Sequence, residues 1–330
     1  MKIHITQPHE DWCVDDLART LRQHLEQSGF EKVWHPDDAD DADIIHLLSD
    51  WTWRKTPRDA LSTKPVVCTV HHIYEPKFGP AERADFAERD QFVDAYHVFN
   101  ARTEAQVRRL TMKPVHLIPY WLPSAAEQEE WRDQTGAAEL RASLGIHGTC
   151  IFSAQRDTEG AQLQRGELVP KMEKGPDTFV DAVIREQATR RHGKFIIFPP
   201  PGSEILGDVH VLLAGPRREF VRIMLGIHAP DIRVVDLGVV PQHTLRMLYH
   251  VCDEYWVTSR GEGGPQALIE AGMAGCKVRS TPVGIAEQVL PAKSINQDIL
   301  LAEASVPDVS GLSWDVVGPK YLQLYREVSS

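Results

Sequence analysis

Two carboxylates frame a glycine-rich segment, Thr258-Ser-Arg-Gly-Glu-Gly-Gly-Pro-Gln-Ala-Leu-Ile-Glu270, in which seven residues separate Glu262 from Glu270. The apolar run Tyr255, Trp256, Val257 precedes it and a helical pattern follows. The segment therefore reads as a buried strand, a tight turn and the start of a helix. Backbone N–H groups at a helix start, with the helix dipole behind them, favour an anion. Gly263 and Gly264 permit close approach to the backbone, and Pro265 and Gln266 open the helix. A plain strand-to-helix turn with two incidental acids uses the same residue types, so the segment alone leaves both readings open.

Other candidates sit where apolar runs end. His71 and His72 follow Val66–Val70, Arg156 follows Thr149–Ser153, and Lys174-Gly175-Pro-Asp opens a helical stretch. Histidines at strand ends are as often structural as functional. The acids between Asp37 and Asp43 include Asp-x-Asp triplets that suggest a metal site, but they precede a buried strand and read as a solvated loop. No HxxxH pair marks a zinc helix. Trp12, Trp51 and Trp53 have the shape to stack on a sugar ring or to fill a core. The basic stretch Arg102–Lys113 carries mixed charges and reads as a solvated helix, with contact to a membrane surface left open.

These residues need a frame. Short apolar runs alternate with amphipathic stretches along the whole chain, the pattern of parallel sheets covered by helices. Strands are predicted at Lys2–Ile5, Ile44–Leu48, Val66–Val70, Val98–Phe99 and Val115–Ile118, and again at Thr149–Ser153, Val209–Ala214, Ile232–Val235, Glu254–Thr258 and Val278–Ser280. Helices are predicted at Pro176–Arg190, Arg217–Leu225, Thr244–Val251, Pro265–Ala274 and Trp314–Val328. A chain of 330 residues exceeds one ordinary domain and suits two. The expected division is an N-terminal Rossmann-like domain over 1–123, a polar connection over 124–145, a second Rossmann-like domain over 146–310, and a terminal helix over 311–330 that packs back on the first. Polar or proline-rich insertions are expected at Asp157–Glu173 and Arg191–Asp208. Ligands of such sheets bind at the carboxyl ends of strands, here in a deep interdomain cleft.

Composition narrows the classes. Apolar residues at 42% and charged residues at 25% are ordinary for a globular protein. Thirty-six Lys and Arg against 47 Asp and Glu give a net charge of −11, which argues against a nucleic-acid partner. No GxGxxG follows the early strands, which disfavours a nicotinamide-dependent dehydrogenase. There is no apolar run of membrane-spanning or signal-peptide length, and five scattered cysteines form no CxxC pair. A cytoplasmic α/β protein is expected, with peripheral attachment to the inner membrane face left open.

The second half resembles the donor-binding half of the retaining GT-B glycosyltransferases, specifically the large family numbered four (glycosyl transferases group 1). The likeness runs from about Thr149 to Leu290. It rests on Phe152-Ser-Ala-Gln-Arg156, Lys174-Gly175-Pro-Asp, Leu212-Leu-Ala-Gly215-Pro, Leu237-Gly238-Val-Val240, the Glu262/Glu270 element, and the downstream Val283-Gly284 and Glu287. Ala42-Asp43-Ile-Ile-His46 and Val67-Cys-Thr-Val-His71 fit the first half more weakly. This chain departs from the pattern with Gln7–Trp12 in place of a double glycine, a longer loop between Arg156 and Lys174, Gly264 where a larger residue is common, and Gly272 within a small-residue run.

The resemblance implies a hexosyltransferase-type enzyme that takes a sugar from a nucleoside-diphosphate donor, a UDP-sugar or GDP-sugar, with no cofactor and no essential metal. The acceptor is a glycan, a lipid-linked sugar or a small molecule. Arg156 and Lys174 would neutralise the leaving diphosphate. Glu270 would hold the ribose, Val240 the base, and Gly263, Gly264, Pro265 and Gln266 the donor. Glu262 and His71 would lie by the donor sugar. The alternative is a catalytically silent GT-B-like partner subunit that binds nucleotide or glycan only, and donor hydrolysis discriminates between the two.

Overall fold

The computed structural model describes residues 1–6, 13–30, 41–159, 168–192 and 208–329. Trp12, the segment Gln7–Trp12, the acids Asp37 to Asp40 and most of the two expected insertions lie outside the described residues. The chain divides into two compact units, one of Met1–Pro123, Gly261–Gln266 and Ser310–Ser330, the other of Ser124–Arg260 and Ala267–Val309.

In the first unit, β1 (Ile3–Ile5), β2 (Ile44–Leu47), β3 (Val66–Val70), β4 (Ala95–Val98) and β5 (Val115–Leu117) form a parallel sheet in that order. Every residue of β1 to β4 is buried, the polar His4, His46, Thr69, Tyr96 and His97 together with the apolar residues around them. Helices α1 (Cys13–Gln27), α2 (Arg58–Thr63), α3 (Pro80–Asp90) and α4 (Ala101–Val107) belong to the same unit. Helix α3 had no apolar stripe to announce it. Pro80 starts it, the Glu82 carboxylate accepts from the Gly79 N–H (2.9 Å), and Phe86 stacks on Tyr96 of β4.

In the second unit, the polar stretch read as a connection folds into α5 (Ala125–Arg132) and α6 (Ala137–Ser143). Trp131 of α5 is buried, with the Arg246 guanidinium over its ring. The sheet consists of β6 (Thr149–Ser153), β7 (Val209–Leu213), β8 (Arg233–Asp236), β9 (Glu254–Val257) and β10 (Val278–Ser280), ordered β10-β9-β6-β7-β8 and all parallel. Helices α7 (Pro176–His192), α8 (Glu219–His228), α9 (Gln242–Val251), α10 (Gln266–Ala274) and α11 (Ala286–Val289) accompany it. The chain winds outward from β6 through β7 to β8, then returns to β9 on the opposite side of β6. That reversal makes the carboxyl ends of β6 and β9 a topological switch point. Among the described residues no helix is long and apolar enough to cross a membrane, and Cys68, Cys150, Cys252 and Cys276 are free thiols.

The terminal helix α12 (Trp314–Val328) buries Val317, Tyr321, Leu324 and Tyr325, a stripe at i, i+4, i+7 and i+8. Its tyrosines end a polar chain inside the first unit. Tyr325 Oη lies 2.8 Å from His46 Nδ1, His46 Nε2 2.8 Å from Thr69 Oγ1, Thr69 Oγ1 2.8 Å from His97 Nδ1, and His97 Nε2 3.0 Å from both the Ile118 carbonyl and Tyr321 Oη. A carbonyl only accepts, so His97 Nε2 carries a proton. The order then propagates: Thr69 donates to His97, His46 Nε2 donates to Thr69, and Tyr325 donates to His46 Nδ1. All four ring nitrogens are then satisfied with both imidazoles neutral, and Tyr321 Oη accepts beside the Ile118 carbonyl.

That chain makes stability pH-dependent. Burial and the neighbouring His97 hold His46 well below the ordinary histidine value, and burial lowers His97 to about 3 despite its bond to Ile118. The unfolded chain takes up these protons below about pH 6.5 while the folded one resists. Stability contributed by the neutral pair is therefore complete above about pH 6.5 and declines as pH falls below it, for His97 by up to about 1.4 kcal/mol per pH unit until its folded value near 3 is reached. Denaturant unfolding followed from pH 7 to 5 should show this decline, with a shallower slope for His97→Gln. Equal slopes in both proteins would show that His97 protonates freely in the fold.

Candidate functional site

Two of the expected cations lie on loops that pack at the switch point of the second unit. The loop leaving β6 carries Gln155 and Arg156, and Gln155 Nε2 donates to Ser259 Oγ (2.8 Å) on the segment leaving β9. Lys174 ends a single 3₁₀ turn, Met172–Lys174, before α7, and Gly175 after it has φ of +60°. A Cβ on Gly175 would lie 1.9 Å from the Thr258 carbonyl, so only glycine allows this turn to close on β9. Arg260 clamps the arrangement with two 2.7 Å bonds to Asp177, a bond to Thr178 Oγ1 (2.9 Å) and another to the Met172 carbonyl (2.9 Å). Burial opposes ionisation of Asp177, yet the Arg260 guanidinium holds its carboxyl below the ordinary value. The Lys-Gly-x-Asp element thus has a mechanical role as well as a charge.

Arg156 is half-buried, and its Nε has no hydrogen-bond partner among the described residues. Burial, then the like charge of Arg217, lower its pKa, with Glu159 and Glu173 partly opposing. Those two acids share Lys171, whose Nζ lies 2.7 Å from Glu173 and 3.6 Å from Glu159. Asp157 and Arg218 form a fully buried pair beneath the loop, 3.9 Å apart.

Glu270 lies on α10, and its Oε2 accepts from the Tyr249 hydroxyl of α9 (2.6 Å). Tyr249 is fully buried and packs with Phe152 of β6 and Tyr255 of β9. Burial and the adjacent Glu270 charge push its phenol far above the usual tyrosine value, so it stays a donor. This bond orients the Glu270 carboxylate, each oxygen of which offers two acceptor directions. Val240 is half-buried and lies just before Pro241 at the start of α9, on the loop after β8. The Gly215 N–H, from the end of β7, donates to the Gly238 carbonyl of that loop (2.7 Å).

The turn Gly261–Gln266 runs from β9 into α10 but clusters with the first unit. The atoms crowding its glycines belong to the protein itself. A Cβ would lie 2.7 Å from the Tyr74 ring at Gly261, 2.2 Å from the His71 carbonyl at Gly263 and 2.1 Å from the Tyr120 ring at Gly264. Tyr120 thus occupies the space that the larger residue common at position 264 would need. Asn100, the N-cap of α4, accepts from the Thr103 N–H and donates through Nδ2 to the Gly263 carbonyl (2.7 Å). Glu262, half-buried, is held between two pinned glycines, and Pro265 is buried beside half-buried Gln266.

His71 Nε2 donates to the Leu48 carbonyl (2.8 Å), which leaves Nδ1 to accept at 3.4 Å from the Tyr120 hydroxyl. Burial lowers its pKa despite the Leu48 bond and nearby Asp50, so the ring is a neutral, oriented group at neutral pH and not an imidazolium acid.

The remaining candidates take structural places. Trp53 is core, its Nε1–H donating to Asp85, while Trp51 keeps 38% of its surface exposed and lies at a tilt to the His71 ring. Asp41 and Asp43 face Lys2 and the amino terminus. Within the basic stretch, Arg108 binds Glu104 and Arg109 pairs with Glu75. The sequence reading assigned no role to Asn100 or Tyr120, nor to Gln155 and Tyr249, although these last two lie within the segments Phe152–Arg156 and Leu248–Val257 that match the family pattern. Of the first two, only Asn100 had a local signal, as an asparagine directly before a helical stretch.

No protein-family model matches the sequence, and no curated protein does. Solved structures do match. Anabaena HepE in complex with UDP and glucose aligns over 100% of this chain and 99% of its own, with a TM-score of 0.66 at 14% identity. Both chains are thus matched end to end, across both parallel sheets. The fold is that of the GT-B glycosyltransferases. Sucrose-phosphate synthase from Thermosynechococcus elongatus has a TM-score of 0.57 at 17% identity, covering 98% of this chain and 80% of its own. A UDP-forming trehalose-phosphate synthase from Burkholderia xenovorans has a TM-score of 0.55 at 13% identity, covering 96% and 74%. In this GT-B chain the switch-point cations and Glu270 belong to the second Rossmann-like unit, while His71 and the glycine turn belong to the first.

Proposed function

We propose that this protein is a retaining glycosyltransferase that moves a hexose from a nucleoside-diphosphate sugar to a hydroxyl acceptor, be it a glycan, a lipid-linked sugar or a small molecule. The observation that carries this reading is that the loops bearing Arg156 and Lys174 both pack on the Thr258–Ser259 segment of a switch point. Two cations there suit a diphosphate, and they supply the neutralisation of the leaving group without a metal. Glu270, oriented by Tyr249, suits a ribose, and the loop at Val240 a base. The HepE structures hold UDP and UDP-glucose, which supports a uridine donor. The second unit is read as the donor side and the first as the acceptor side. Free thiols suit a cytoplasmic setting.

Retention is read as a same-face substitution in which the acceptor oxygen bonds the anomeric carbon as the bond to the diphosphate breaks. A departing phosphate oxygen takes the acceptor proton, with Glu262 stabilising positive charge at the anomeric carbon and His71 orienting the sugar. The testing experiment is a screen of UDP- and GDP-sugars by thermal shift with donor hydrolysis as readout. A donor that both stabilises and is hydrolysed supports the reading. Stabilisation without hydrolysis by any donor supports the silent binding partner instead.

Arg156→Ala and Lys174→Ala should each weaken donor binding by roughly 1.5–3 kcal/mol, the scale of a charge-assisted hydrogen bond, with little change in fold stability. Calorimetry with the donor measures the first and thermal unfolding the second. Undiminished affinity in both variants would place the diphosphate elsewhere.

A further inference from the structure

Resting on the donor site just proposed, we infer that Arg217 is a third cation of the diphosphate site, a phosphate-binding residue beyond the Arg156 and Lys174 pair. Arg217 follows β7 and, among the described residues, is the one non-glycine residue with positive φ (58°). A long side chain is disfavoured in the left-handed region, where glycine or asparagine would serve. Such a conformation persists where the surroundings over-determine it, and residues of this kind cluster at functional sites.

The surroundings are explicit. Strands β6 and β7 run in register through Ser153 and Leu213, the Ala214 N–H donates to the Ser153 carbonyl, and the Asp157 N–H donates to the Arg217 carbonyl (3.1 Å). The segments 154–157 and 214–217 therefore leave the sheet side by side. They bring Arg217 next to Arg156 closely enough that its charge counts against the Arg156 proton. The neighbouring arginine takes the opposite fate. Arg218 is 3% exposed, donates to Ser153 Oγ (3.0 Å) and pairs with Asp157. Asp157 is in turn committed to the N–H groups of Phe220 and Val221 at the start of α8 (3.2 Å each).

Arg217 has no such partner among the described residues, although it is half-buried. Two half-buried guanidiniums thus face the same strand ends without an acid bonded to either among the described residues, and the Nε of Arg156 is buried without an acceptor. A fold does not gain by bringing like charges together in a partly desolvated place. An anion with several oxygens resolves the arrangement, since each guanidinium presents a fork of donors to it. A diphosphate has the charge and the acceptor count.

The substitution that separates this role from a structural one is Arg217→Gly. Glycine adopts φ of 58° freely, so the thermal midpoint should hold or rise, while loss of the charge acts on the ligand. UDP affinity should fall about ten- to hundredfold and inorganic pyrophosphate affinity should fall with it, whereas uridine affinity should stay as in the wild type. Arg217→Lys, which keeps the charge and loses the fork, should lie between. A wild type that binds UDP while Arg217→Gly binds it equally well overturns the assignment of Arg217 alone. Equal losses for UDP and uridine overturn it too, because they indicate a distorted site. A wild type that binds neither UDP nor pyrophosphate overturns the donor site together with this residue's place in it.

Discussion

Glu262→Gln is expected to lower turnover by about 10²–10³-fold while leaving affinity for the free nucleotide nearly unchanged. The physical reason is where charge appears. The donor sugar is neutral at its anomeric carbon in the ground state and becomes oxocarbenium-like as the diphosphate departs. A carboxylate beside it therefore acts mainly in the transition state. Gln has the same shape without the charge. The pinning of Gly261 by Tyr74 and of Gly263 by the His71 carbonyl keeps the turn in place in either variant.

Glu270→Ala should behave differently. It removes the acceptor for two ribose hydroxyls and leaves the buried Tyr249 hydroxyl without its 2.6 Å partner, so binding of both free nucleotide and donor should weaken. Calorimetry with the free diphosphate alongside transfer or hydrolysis assays separates the two glutamates. If Glu262→Gln lost nucleotide affinity and kept its turnover at saturation, the roles would have to be exchanged.

Asp157→Ala should cost about 3–5 kcal/mol of stability, the range for leaving one partner of a buried ion pair alone. Arg218 would keep its charge at 3% exposure with Ser153 as its remaining bonded partner, and the N–H groups of Phe220 and Val221 would lose the carboxylate that caps α8. Burial drives both groups toward their neutral forms, raising the Asp157 pKa and lowering that of Arg218. Their pairing is what holds the charges there. Replacing both, as Asp157→Ala with Arg218→Met, should recover most of the loss, because apolar groups of similar volume need no partner. Denaturation midpoints of the single and double variants check this. A single variant as stable as the wild type would mean that Arg218 finds water.

Most of the parallel strands were legible because they are buried on both faces and so appear as short apolar runs between polar helices, while β5 and β8 are partly exposed. Nine of the expected runs coincide with β-strands to within one residue at each end, and Val98–Phe99 marked only the end of β4 (Ala95–Val98). That strand was cut short because Tyr96 and His97, polar in sequence, are fully buried through bonds to Asp90, Thr69 and Ile118. Helix α3 escaped notice because a single large apolar residue, Phe86, anchors a charged surface helix. In each case the missing information was a partner distant along the chain.

The candidate site divides along the same line. The sequence by itself determined two α/β units, a strand-turn-helix with Glu262 and Glu270, and cations at strand ends, because strand period, glycine, proline and charge are local properties. Only the tertiary structure decided that the glycines of the turn yield to His71, Tyr74 and Tyr120, that Tyr249 orients Glu270, and that adjacent Arg217 and Arg218 part company. Two neighbouring arginines are chemically identical in a sequence. Which one is paired inside and which is left facing a ligand depends on Asp157, some sixty positions away, reaching the start of α8, and on a backbone angle that only the packed strand ends impose.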